Sequence, residues 1–478
     1  MATACNRLRD PAAAAAIVRD YPTITTDGEQ AVRLAAEETT ALFWVQSDVA
    51  GAEAALDAWC DAITESPWHE LLEASRATVA LWSGSREDAR AIAGRLATDD
   101  HDPRVRVVAF SGVGYLWLSE GRTDHVIDTA TQLLGTAMGM RHLQPEVPTF
   151  VVGPYLAALL SQGRLDEIDV IIGLVEQTFV DSSDLLRAMV LGARAVVALA
   201  RGKARTARAL MAESIAIQRA AGQDWRSAVA YAALAEATAL CGDATAAQRA
   251  IGHARANLRD NERGLGFLVE RAGVWTTFVT DGVPAARRQA EAQARIAHAN
   301  GWLYQELLLQ FDAVRLGSRD AGAAVARTGQ HVDGPLARAM VLLGEGIDRR
   351  DANGLDKAAA AFGALGAILY AAEAAVLAAE EHRRAGDGPA AARADAMARA
   401  WEEQCEGARS PVLELRRPAM SVLTAREREI VQLAARGRSN RELADELCVS
   451  VRTVEGHLAR AYAKLGVSNR QQLVELLG

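Results

Sequence analysis

Lysine is almost missing from this chain: Lys203, Lys357 and Lys464 are the only three in 478 residues. Arginine therefore carries nearly all of the positive charge. Cysteine is scarce too. Cys5, Cys60, Cys241, Cys405 and Cys448 form no C-x-x-C pair and are odd in number. That excludes a disulfide framework or a zinc knuckle and fits a reducing cytosol, so the expected location is cytoplasmic. Proline is sparse (12) and aromatics make up only 5%. The core must then be built from Ala, Leu, Val and Ile, and a chain rich in Ala and poor in Pro favours helix over a large all-β fold. Long apolar runs are lacking as well. Ala358–Ala372 is uncharged for 15 residues but is too short and too weakly apolar to span a bilayer. Residues Met1–Asp20 hold an Ala run, Ala12–Ala16, with charges on both sides, unlike a secretory leader. No membrane partner is expected.

Catalytic motifs are absent in the same way. There is no G-x-x-x-x-G-K-[ST], since the one Gly-Lys pair, Gly202-Lys203, continues Ala-Arg. There is also no H-E-x-x-H, nucleophile elbow or cluster of metal ligands. The sequence therefore predicts no catalytic residue, no metal and no cofactor, and the chain reads as a non-enzyme.

What is present is length and pattern. A chain of 478 residues is long enough for two to four domains. Its net charge of −9 is uneven: Met420–Gly478 holds nine Lys/Arg against seven Asp/Glu, and the remainder 43 against 54. A slightly basic tail on an acidic body points to an anionic partner for the tail alone. Along the body, Gly51, Gly84, Gly121, Gly163, Gly202, Gly242, Gly282, Gly317, Gly354 and Gly386 each follow an apolar-periodic segment and precede a polar one, at spacings of 32 to 42 residues. Each is expected to end one helix of a hairpin in a left-handed conformation. A short polar turn follows, as at Gly242-Asp243 and Gly386-Asp387, and then a second Ala-rich helix. This period fits paired-helix repeats, which stack because one hairpin cannot bury its own apolar face. Units such as Ala220-Ala-Gly222…Trp225…Ala230…Leu240-Cys-Gly242-Asp243 resemble the degenerate tetratricopeptide-like arrays of large actinobacterial regulators. The ATPase module that often precedes such arrays is missing. Pro411 and Pro418 then interrupt helix, which puts a linker over 406–420 between an array at 1–405 and a final domain at 421–478.

That final segment is clearly punctuated. Thr424-Ala-Arg-Glu427, Ser439-Asn-Arg-Glu442 and Ser468-Asn-Arg-Gln471 read as three capping boxes, and Ser450 as a further N-cap. Helices are expected from each, ending near Arg436, Leu447, Leu465 and Leu477. The second and third, joined through Cys448-Val449-Ser450, have helix-turn-helix layout. The stretches Leu423-Thr-Ala-Arg-Glu427-Arg-Glu-Ile430, Gly437-Arg-Ser-Asn440-Arg-Glu-Leu-Ala444, Val449-Ser-Val-Arg-Thr453-Val454-Glu-Gly-His457-Leu458 and Lys464-Leu465-Gly466-Val467 resemble the LuxR-type DNA-binding domain, without gaps.

The resemblance implies that the third helix reads double-stranded DNA. Its exposed face would offer Arg452, Glu455, Gly456 and Ala459, where Arg can pair with guanine and Glu with cytosine. Thr453, His457, Arg460 and Lys464, with Asn440 and Arg441, are expected near phosphates, which position without specifying. The resemblance also puts the last helix at a homodimer contact, with Leu473, Val474 and Leu477 as candidates. The expected whole is all-α: a superhelix of helical hairpins followed by a four-helix LuxR-type domain. It would act as a transcription regulator whose array senses a small-molecule or protein effector, with RNA polymerase a candidate partner. The alternative is a helical scaffold whose tail serves as a tether or dimer contact.

Overall fold

The structure, a computed structural model, describes residues 27–143, 147–179, 184–220, 227–415, 423–435, 437–447, 449–465, 467, 469–471 and 473. The chain divides into two compact units, 1–410 and 411–478. Among the described residues every regular element is helical.

In the first unit the helices come in antiparallel pairs. They are α1 (Gly28–Thr39, continued by a π-helical turn to Gln46) with α2 (Val49–Ala62), α3 (Trp68–Ser83) with α4 (Arg86–Leu96), α5 (Pro103–Ser119) with α6 (Thr123–Gly139), α7 (Val147–Gln162) with α8 (Leu165–Phe179), and α9 (Asp184–Ala200) with α10 (Ala204–Ala220). Then follow α11 (Ala228–Leu240) with α12 (Ala244–Asn257), α13 (Gly266–Asp281) with α14 (Val283–Ala299), α15 (Leu303–Arg315) with α16 (Asp320–Gly329), α17 (Pro335–Arg349) with α18 (Ala352–Ala364), and α19 (Ile368–Arg384) with α20 (Gly388–Glu402).

The corners show why the sequence turns where it does. At Gly202 the φ angle is +80°, its N–H donates to Leu199 O, and the N–H of Lys203 reaches back to Ala198 O. This pair of bonds closes the orphan carbonyls of a helix end. The same pair recurs at Gly121, Gly163, Gly242, Gly317 and Gly386. After Gly242 and Gly386, Asp243 and Asp387 accept the N–H of Ala246 and Ala390, so one helix is ended and the next capped within two residues.

Two of the ten glycines do not turn the chain. Gly51 lies in the first turn of α2 and donates its N–H to Asp48, and Gly354 lies in the first turn of α18. In both hairpins the left-handed corner falls four residues earlier, on Ser47 (φ 60°) and Arg350 (φ 54°). A polar residue tolerates that conformation at some cost, so glycine is not obligatory there.

The array also coils back on itself. Ser47 Oγ donates to Asn261 Oδ1, whose amide donates to Phe43 O. The N–H of Asp333 meets Gly121 O at 2.9 Å, Arg86 lies over the Trp302 ring, and the N–H of Arg409 meets Leu240 O at 2.7 Å. Hydrogen-bonded partners across this seam are 169 to 218 residues apart in sequence. A Cβ on Gly202 would stand 2.9 Å from Leu369 Cβ and 3.0 Å from Cys405 Sγ, so glycine there serves both the corner and the close approach. Residues 406–410, expected to begin a linker, lie on this seam: Glu406 accepts from Thr206, and Ala408 is buried.

Charges are sealed inside the array. From α11 to α19 runs a chain of ion pairs, Glu236–Arg271–Asp312–Arg315–Glu373. Arg271 grips Asp312 with two bonds (2.7 and 3.2 Å), and Arg315 grips Glu373 the same way (2.7 and 3.0 Å). Trp275 and Tyr370 stack on the Arg315 guanidinium at 4.2 and 4.7 Å. Burial alone would lower the Arg315 pKa, but Glu373 and its neighbours raise it instead. Among the described residues no helix is long and apolar enough to cross a membrane, and no group of His, Cys, Asp or Glu could hold a metal ion.

Candidate nucleic-acid interface

The second unit begins with the short helix α21 (Pro411–Leu415), followed by α22 (Ala425–Ala435), α23 (Asn440–Glu446) and α24 (Val451–Leu465). A small apolar core assembles the last three. Leu423, Ile430, Val431, Ala434, Leu443, Ala444, Val454, Leu458, Ala461 and Leu473 are all buried in it. Each large aliphatic side chain removed from water contributes about 1.5–3 kcal/mol. Ala444, at 5% exposure, lets α23 cross close to α24.

Two capping boxes form in full. Thr424 N–H donates to Glu427 Oε2 (2.8 Å) while Glu427 N–H donates to Thr424 Oγ1 (3.3 Å), and Ser439 and Glu442 repeat the exchange. Those bonds hold the Glu442 carboxyl below its usual range. Gly437 ends α22 at φ +86° with the same two back-bonds seen in the array. Ser450 caps α24: its Oγ accepts the N–H of Thr453 at 3.1 Å and shares a 2.7 Å hydrogen bond with the Thr453 hydroxyl. The third expected box includes Ser468, which lies outside the described residues.

This scaffold presents α24 with one face out. Arg452, Thr453, Glu455, Gly456, Ala459, Arg460 and Lys464 are exposed, and His457 is half-buried. Arg441 is exposed and Asn440 half-buried on α23. Among the described residues Arg452 and Arg441 make no ion pair, so both guanidinium groups are open to a ligand. The other cations are more committed. Lys464 Nζ donates to Glu427 Oε2 at 2.7 Å, and Arg460 stands 3.9 Å from the same carboxylate and 3.1 Å from His457 Nδ1. The Glu427 side chain is 4% exposed, and its pKa is held down to about 2, first by Lys464 and then by Thr424. Lys464, expected to face phosphate, is thus first of all the counter-ion of a buried carboxylate.

Gly456 stands clear: a Cβ there would meet nothing within 4 Å. Its lack of a side chain leaves room on the reading face and offers no hydrogen bond to a base. Leu473, expected at a dimer contact, is instead fully buried in the core of its own domain. That correction has a simple cause, because four apolar residues close together on the last segment do not reveal which one turns inward. Val474 and Leu477 lie outside the described residues.

Two partners escaped the sequence reading. Arg470 donates to Asn440 Oδ1 at 3.3 Å, and beside them a groove of about 330 Å³ runs along α24, lined by Asn440, Glu455, Leu458, Ala459, Tyr462 and Arg470. Arg426 donates to Leu447 O at 2.8 Å and so pins the end of α23. The only sequence signal for Arg470 is its place inside the third capping-box motif, which reads as local chemistry.

Residues 421–477 match the family model described as bacterial regulatory proteins, luxR family. Over 64 residues the chain is 48% identical to a Mycobacterium bovis protein named as an HTH-type transcriptional regulator, covering 13% of this chain and 7% of that one. Over 54 residues it is 46% identical to the oxygen regulatory protein NreC of Staphylococcus aureus, 11% of this chain and 25% of that one. The chain therefore spans only a small part of the curated relatives it matches. One solved structure, the APC/C hetero-tetramer Cut9–Hcn1, covers 83% of this chain and 82% of its own, with 12% identity and a TM-score of 0.39, too distant to carry an argument. The exposed α24, the paired capping boxes and the family match together make residues 421–477 a helix-turn-helix domain of the luxR family of bacterial regulatory proteins.

Proposed function

We propose that this chain is a cytoplasmic transcription regulator that binds double-stranded DNA through α24, with the helical array as the part that receives a small-molecule or protein effector. The carrying observation is the uncommitted Arg452 on an exposed helix whose opposite face is sealed into the domain core. A guanidinium placed there can enter a major groove and donate two hydrogen bonds to a guanine edge. Thr453, Arg460 and Lys464 on α24, and Asn440 and Arg441 on α23, flank it as backbone contacts, with His457 beside them. Glu455 and Gly456 border the reading position. One such module reads few base pairs, so the binding form is a homodimer on an inverted repeat with half-sites about one helical turn apart. Val474 and Leu477 are the residues proposed for that contact. No catalytic step is assigned to either unit, and RNA polymerase is the partner through which such a regulator would act.

The test is binding of the full chain to genomic duplex fragments across a salt series. Selected fragments should carry inverted repeats, and affinity should fall with salt at a log–log slope of about −0.9 per phosphate neutralised. Salt-independent binding, or no binding to any duplex at low salt, would leave the scaffold alternative standing.

A further inference from the structure

Arg470 reaches from the last segment of the second unit to the start of α23, where its guanidinium donates to Asn440 Oδ1 at 3.3 Å. The backbone beneath it is held. Three residues on, Leu473 is buried in the domain core, and its N–H donates to Asn469 O at 3.1 Å. The Arg470–Asn440 pair lines the groove along α24 together with Glu455, Leu458, Ala459 and Tyr462. Those four stand at i, i+3, i+4 and i+7, a single stripe of that helix. Glu455 and Ala459 belong to its exposed face, so the pair lies alongside residues placed to meet base edges. A duplex that takes this face into its major groove carries a phosphate backbone along each rim of the groove.

The chemistry of the pair fixes an orientation. A guanidinium has donors and no acceptor, so it can hold an amide only by its oxygen. With Oδ1 held by Arg470, the Asn440 NH2 is turned away from it, and among the described residues that NH2 donates to nothing. The distinction matters for an anion. A phosphate oxygen accepts from an amide NH2 and is repelled by an amide oxygen, and an unrestrained Asn side chain offers either end.

We propose that Arg470 is a positioning residue for DNA binding: it holds the Asn440 oxygen so that the Asn440 NH2 donates to a backbone phosphate beside α24. The contact with phosphate is neutral and belongs to Asn440, and Arg470 acts through it. This inference rests on the DNA-binding reading and names the residue that makes Asn440 a donor.

The experiment measures the full chain on a duplex that wild type binds, across a salt series, as Asn440→Ala, Arg470→Ala and the double variant. Asn440→Ala should lower affinity about ten-fold at every salt concentration, the worth of a hydrogen bond to a charged group. Its log–log salt slope should match wild type, because a neutral amide displaces no counter-ion. Arg470→Ala should show the same loss and the same slope, and the double variant should lose no more than either single one. A slope shallower by about 1 in Arg470→Ala, or losses that multiply in the double variant, would make Arg470 a phosphate contact in its own right and overturn the positioning role. Unchanged affinity in Arg470→Ala would overturn it too. A second readout needs no Arg470 variant. The Asn440 side-chain NH2 signal, assigned by its loss in Asn440→Ala, should shift in amide NMR spectra of the wild-type chain when the duplex is added. An unmoved signal would overturn the proposal even if Arg470→Ala unfolds the reader. Where Arg470→Ala folds, as amide exchange at Ile430 and Leu458 would show, its Asn440 NH2 should lose most of that shift. Wild type that binds no duplex would sink the DNA reading and the positioning role with it, whereas wild-type binding with multiplying losses would sink the positioning role alone.

Discussion

The array and the reader handle charge in opposite ways. The array seals it: Asp312 and Arg315 are at most 2% exposed, and Glu373 is 4% exposed. The reader keeps one carboxylate inside, Glu427, and leaves Arg441 and Arg452 facing out. A sealed ion pair fixes the geometry of the helices that bear it, because either partner alone is intolerable in a dry interior. An exposed guanidinium adds little to folding and is available for an anion. The buried charges of the array tie α11, α13, α15 and α19 together, whereas Arg441 and Arg452 of the reader are exposed.

The sharpest way to break this contrast is to remove an inner charge and an outer one from the same protein. Arg315→Ala leaves Asp312 with Arg271 but removes the ion-pair partner of the buried Glu373, and should cost about 3–5 kcal/mol, enough to lower the melting temperature of the array by many degrees. Arg383 pairs with Glu380 and Asp395 at 44% exposure, and Arg383→Ala should cost no more than about 1 kcal/mol. Equal losses in thermal melts would mean that burial does not set the worth of these pairs.

The corners give a second contrast within the array. Gly202 and Gly386 share the left-handed φ, but only Gly202 has a neighbouring element against it, while a Cβ on Gly386 would meet nothing within 4 Å. Gly386→Ala should cost about 1–2 kcal/mol for backbone strain alone. Gly202→Ala adds overpacking against Leu369 and Cys405 and should cost about 2–4 kcal/mol in total. Denaturant midpoints of the two variants decide it, and the reverse order would show that the seam yields easily.

These pairs also show what the sequence could and could not tell. The left-handed corners at Gly202, Gly242 and Gly386 were legible because helix termination is local chemistry that leaves a local mark. Gly51 and Gly354 fit the same near-period, yet they sit one turn into the next helix, since a polar left-handed residue, Ser47 or Arg350, can replace the glycine corner. The seam was not legible at all. Nothing near Thr206 points to Glu406, and nothing near Phe43 points to Asn261. The sealed ion chain was hidden for a related reason: Glu236, Arg271, Asp312 and Glu373 lie on four separate helices, and nothing beside any of them in sequence names its partner. In the reader, the capping boxes and the exposed face of α24 were legible from spacing, whereas the pairing of Lys464 with Glu427 crosses two helices and was not.

Smaller in energy, but closer to function, is the contrast between the two open arginines of the reader. Arg452→Ala should flatten the preference at one base pair by about 1–3 kcal/mol, while Arg441→Ala should weaken all sequences alike and reduce the salt slope by about 1. Neither should alter melting. If Arg452→Ala lowers specific and non-specific binding equally, Arg452 anchors phosphate and the reading face lies elsewhere on α24.

The smallest effect tests where the contrast blurs, at the one carboxylate that the reader buries. Folding lowers the Glu427 pKa from 4.5 to about 2, so its stabilisation is complete above the ordinary carboxylate range and drains away as pH falls toward 2. Lys464 is its first partner, but the ammonium side chain is 38% exposed, and solvent screens much of the attraction. Lys464→Ala should therefore loosen the reader modestly at neutral pH and leave the array untouched. Protonation of the unfolded chain is common to both proteins and cancels, so the gap should narrow only below the ordinary carboxylate range, where the variant's folded carboxyl takes up a proton while that of the wild type stays ionised down toward pH 2. No tryptophan lies beyond Trp401, so amide exchange at Ile430 and Leu458 in the full chain is the readout. A gap that persists undiminished at the acid end would mean that Lys464 acts through its aliphatic stem, by packing, and not through Glu427. In that case its ammonium would be as free for a phosphate as the guanidinium of Arg441.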